Sequence, residues 1–150
     1  MVMRRNAHTL AELVVVVMIL GIMAGIAIPR LQFQAVQKKK LEAATLKMVA
    51  DLRRCRSMAL RDAATNAKGF ALQRIGNPWT GYQIDDLDSH ATVDSITLDS
   101  SITATGDNKY EFGPLGNLSA GSGVITLSAD GKSYTISFVA ATGAVSCVEN

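Results

Sequence analysis

Histidine, cysteine, proline and aromatic residues are all scarce in this chain, with two, two, three and 5% respectively, and the first two shortages narrow the chemistry most. Of the histidines, His8 stands beside an apolar run, so only His90 could serve a site elsewhere. Its neighbours Asp85, Asp86 and Asp88 make an oxygen-rich loop, but their spacing completes no EF-hand, and a solvated acidic loop is the expectation. No Gly-x-Ser-x-Gly elbow, paired-cysteine zinc pattern or phosphate-cradling loop occurs. No catalytic residue, cofactor or metal ligand is assigned, and the chain is not expected to be an enzyme. Cys55 and Cys147 leave two readings open. In an oxidising compartment they form a disulfide closing most of a domain, or both stay free with Cys55 as a small core hydrophobe. No internal repeat or low-complexity tract appears.

Charge is absent from a long stretch as well. After Arg4 and Arg5, the segment from Leu10 to Ile28 carries one ionisable side chain, Glu12, at its front edge. As a helix its 19 residues would span roughly the 30 Å hydrocarbon core of a bilayer, so the sequence predicts a membrane-inserted helix. The positive-inside rule would then keep Arg4 and Arg5 cytoplasmic. An acid at membrane depth costs several kcal/mol unless compensated. The ammonium of a neighbouring subunit could cancel Glu12 and fix axial register, or Glu12 could snorkel to water at headgroup level. Gly21 and Gly25 form a G-x-x-x-G spacing that lets helices approach closely, although small residues are common in such helices. Pro29 should bend the helix without ending it. Ile28-Pro29-Arg30 does not look like a secretory cleavage site, whereas the small residue Ala7 precedes the run, so cutting after it would keep the anchor.

The remaining length allows one globular domain. From Leu31 to Ala64 the composition is helical, with Leu41, Thr45, Met48, Leu52, Cys55 and Ala59 recurring at three- and four-residue steps to make a face that needs a sheet to cover it. Lys38, Lys39, Lys40, Lys47, Arg53, Arg54, Arg56 and Arg61 decorate the other face, which reads as solvated or as meeting acids of neighbouring heads in an assembly. Residues 1–67 carry eleven Lys and Arg against four acids, and 68–150 carry four against nine. Beyond residue 69, short alternating runs predict strands at Gly69 to Arg74, Gly81 to Ile84, Ser95 to Leu98, Lys109 to Phe112, Gly123 to Ser128, Ser133 to Val139 and Ala144 to Val148. Asp130-Gly131 signals a tight hairpin; Asn77-Pro78, Gly113-Pro114 and Thr142-Gly143 mark other turns, and Ser119 to Gly123 reads as a flexible loop. Trp79 with Tyr82 reads as a core or turn anchor or, were the pair exposed, as a candidate contact surface.

Ala7-His8-Thr9-Leu10-Ala11-Glu12-Leu13 and the following VVVVMILGIMAGIAIP resemble the N-terminus of the type IV pilin and pseudopilin superfamily. Ala7 stands where that family normally has glycine and His8 where it has phenylalanine. The resemblance implies a leader of residues 1–7 removed by a prepilin peptidase between Ala7 and His8, N-methylation of His8, and Glu12 as the acid at the fifth mature position. The segments ADLRRCRSMAL from Ala50, WTGY from Trp79, YEFGPLG from Tyr110 and the closing ISFV to Gly143-Ala144-Val145 are similar to the GspH/FimT type of minor pilin or pseudopilin.

That resemblance implies an α+β fold, a long N-terminal helix with a membrane-spanning first half packed on an antiparallel sheet. The organisation expected is a leader at 1–7, a transmembrane and assembly helix at 8–29, an amphipathic continuation at 30–64 and a β-rich head at 65–150. The implied function is a structural subunit of a type IV pilus or type II secretion pseudopilus, and the sequence does not choose between them. The implied partners are other pilin or pseudopilin subunits, prepilin peptidase, an inner-membrane assembly platform and membrane lipid, with the head in the periplasm or on an extracellular filament. DNA capture is an alternative, disfavoured because the head has a surplus of acids and phosphate contacts need clustered cations. A solitary membrane-anchored binding domain is the other.

Overall fold

A computed structural model describes residues 9–150, the side chains of 25–34 excepted. The chain divides into two compact units, Met1–Val36 and Gln37–Asn150. Helical backbone is assigned over Leu10–Arg61, here α1, which contributes to both.

In the first unit Thr9 caps the helix. Its Oγ1 accepts the Glu12 N–H at 3.3 Å, satisfying one of the donors that every helix start leaves open, and its carbonyl accepts the Leu13 N–H at 3.2 Å as the first bond of the helix. Every large apolar side chain from Leu10 to Met23 is 47–84% exposed, on all sides of the helix. The expectation of a membrane-spanning first half is corrected here: among the described residues no helix is long and apolar enough to cross a membrane. The described residues therefore do not support the expected single-pass inner-membrane placement.

The second unit holds the rest of α1 and nine strands. They are β1 (Phe70–Ile75), β2 (Gly81–Asp86), β3 (Thr92–Thr97), β4 (Thr103–Gly106), β5 (Lys109–Phe112), β6 (Leu118–Ala120), β7 (Val124–Ala129), β8 (Lys132–Val139) and β9 (Ala144–Glu149). All pairings are antiparallel, in two sheets ordered β3-β2-β1-β5-β6 and β4-β7-β8-β9. The expected single sheet is thus a pair. The three residues of β6 close the first sheet beside β5, and β7 then opens the second by pairing with β4 and β8. Strand β5 meets β8 only through side chains: the Tyr110 and Phe138 rings stack with centroids 5.1 Å apart, and Phe112 lies tilted at 6.2 Å from the same ring.

Leu41, Thr45, Met48, Leu52, Cys55 and Ala59 are all buried at 0–1% exposure, so the helical stripe packs as its spacing predicts. The core it joins takes Leu72, Ile84, Tyr110 and Phe112 from the first sheet and Ile125, Leu127 and Ile136 from the second. Asp130 at φ 48° and Gly131 at φ 76° form a two-residue hairpin between β7 and β8 whose left-handed pair matches the twist of the strands.

Candidate functional site

Glu12 is an exposed residue of the first helical turn, where a carboxylate opposes the positive end of the helix dipole. Thr9 and Glu12 form the T-x-x-E spacing of a capping box, a signal present in the sequence that fits this acid to the helix start independently of the registry role expected of it. A Cβ added at Gly21 would meet nothing within 4 Å, so that position is open to close approach by another chain. The expectations for Ala7 and His8 lie outside the described residues, and at Gly25 and Pro29 only the backbone is described, helical at both.

The second unit joins its helix to both sheets through polar contacts. Tyr82 on β2, fully buried, donates its hydroxyl to Asp51 Oδ2 at 2.7 Å, and Lys47 Nζ approaches the same oxygen at 3.3 Å. Burial first, and the Asp51 carboxylate second, push the Tyr82 phenol well above its usual range. Arg54 pairs with Asp94 on β3 at 2.9 Å, Lys40 with Asp99 at 2.8 Å, and Arg53 donates to the Val145 carbonyl on β9 at 3.3 Å. Arg56 donates to the Gly116 carbonyl at 3.1 Å, and Arg61 grips its neighbour Asp62. Lys40, Lys47, Arg54 and Arg61 of the basic face thus pair with acids of their own unit, and Arg53 and Arg56 with its carbonyls.

Both cysteines are free. Cys55 sits in the core, where burial, reinforced by the Asp85 carboxylate, pushes its thiol up to about 12. Cys147 is half-buried on the edge strand β9 opposite Ile136.

The acidic loop turns its oxygens inward. Asp86 Oδ1 accepts from Asn66 Nδ2 at 2.7 Å and from the Asp88 and Ser89 N–H groups at 2.9 and 3.3 Å. Burial opposes its ionisation, but these donors outweigh it and hold the carboxyl below its ordinary value. Asp85 accepts from Thr92 Oγ1 and Gln83 Nε2, and His90, at φ 59°, is exposed at the end of the turn. Among the described residues no group of three or more His, Cys, Asp and Glu is placed to hold a metal ion.

Two surface features escaped the sequence reading. Trp79, 6% exposed, forms one wall of a cavity of about 340 Å³ with Pro78, Thr97, Leu98, Ile102 and Ala104, and its indole N–H has no acceptor. Leu115, at the tip of the turn between β5 and β6, is 86% exposed. An apolar residue in a Gly-Pro-x-Gly turn is the signal that could have singled out the second.

No protein-family model, characterised protein or solved structure matches the chain. Nothing in those comparisons attaches the vocabulary of pilins, secretion systems or prepilin peptidase to it, and among the described residues no helix supports the membrane terms expected from the sequence.

Proposed function

We propose that the protein is a structural subunit of a filament, of the minor pilin or pseudopilin kind, released from its leader after Ala7 and assembled through its N-terminal helix. The observation that carries this reading is the apolar surface of that helix, every large side chain from Leu10 to Met23 at least 47% exposed, on a chain whose other unit is closed around its own core. An apolar surface of this extent requires a covering partner. Packed copies or sibling subunits of the same kind supply one, and an acid at the front of such a bundle would demand an opposite charge at a fixed height, which sets register.

The test is co-expression of the full chain with a prepilin peptidase and sibling subunits, reading the N-terminus by mass spectrometry and assembly by electron microscopy. Loss of residues 1–7 with one added methyl on His8, and the protein within filaments, is the expected result. Glu12→Gln separates the two roles of the acid, because glutamine keeps the capping-box geometry and removes the charge. We expect Glu12→Gln and Glu12→Ala both to lose assembly. Normal filaments from Glu12→Gln alone would assign the residue to the cap, and an intact leader on the wild-type chain would sink the filament reading.

DNA capture is the weaker reading, because Arg53, Arg54, Arg56 and Arg61 are each engaged within the second unit.

A further inference from the structure

We draw no further inference here: the strongest candidate, the apolar cavity beside Trp79 between the β1–β2 turn and the segment leading into β4, carries nothing, because the unpartnered indole N–H is itself buried and nothing in the structure shows what covers the apolar walls.

Discussion

The two cysteines share a composition line and almost nothing else. Cys55 falls on the helical stripe at zero exposure, and that much the three- and four-residue spacing of its neighbours made legible. Whether it bonds Cys147 was not, because a disulfide depends on the distance between a helix and a strand 92 residues away, which no local pattern encodes. With both thiols free, their reactivity should differ. Only the thiolate is nucleophilic, so a maleimide at about pH 8 should label Cys147 and reach Cys55 only on unfolding. The raised thiol also makes stability depend on pH. The unfolded chain ionises Cys55 near 9.0 and the folded chain near 12, so between these values only the unfolded state gives up the proton. Stability should then fall as pH rises through that window, by about 1.4 kcal/mol per unit from this group. Urea unfolding at pH 8 and pH 11 checks it: Cys55→Ala should lose less stability across the interval than the parent, and equal losses would show that the thiol ionises in place.

Among the elements, the longest and most periodic were the most readable. The stripe of α1 and the seven predicted strands all correspond to observed elements, with strand ends shifted by at most three residues. Strands β4 and β6 were missed because TATG and LSA are too short to show an alternation, and without them the head reads as one sheet. Turn chemistry was legible, but the consequence of a turn's surroundings was not. Gly131 and Gly143 both hold left-handed backbone, at φ 76° and 64°. A Cβ at Gly131 would meet nothing within 4 Å, whereas at Gly143 it would run into the Gly116 carbonyl of the β5–β6 turn. Gly131→Ala should therefore cost only the conformational penalty, about 1 kcal/mol. Gly143→Ala must also push two turns apart and loosen the Arg56 clamp between them, a loss of about 3 kcal/mol or more. Thermal or chemical unfolding of the two variants measures the difference, and equal penalties would mean that the turns part freely.

For the whole molecule, the charge asymmetry was plain in the sequence, but its destination was not. Basic helix and acidic head suggest attraction between copies or toward a polyanion, yet Arg54 and Lys40 find Asp94 and Asp99 inside their own unit. Exposed pairs of this kind add little stability, so their effect here is to mask cations. A masked cation releases no counterions from DNA, and affinity for duplex DNA at about 0.15 M salt should fall at or beyond the weak end of nonspecific binding, a dissociation constant near 10⁻⁴ M. Removing the masks reverses the argument. Asp94→Asn with Asp99→Asn frees two cations without adding a residue of positive charge, and the slope of log affinity against log salt should steepen by up to about two. Fluorescence anisotropy with a labelled duplex, titrated at three salt concentrations, reads both quantities. Micromolar or tighter binding by the parent, with a slope that the double variant leaves unchanged, would mean that the helical cations already face outward, and nucleic-acid capture would then displace the structural reading.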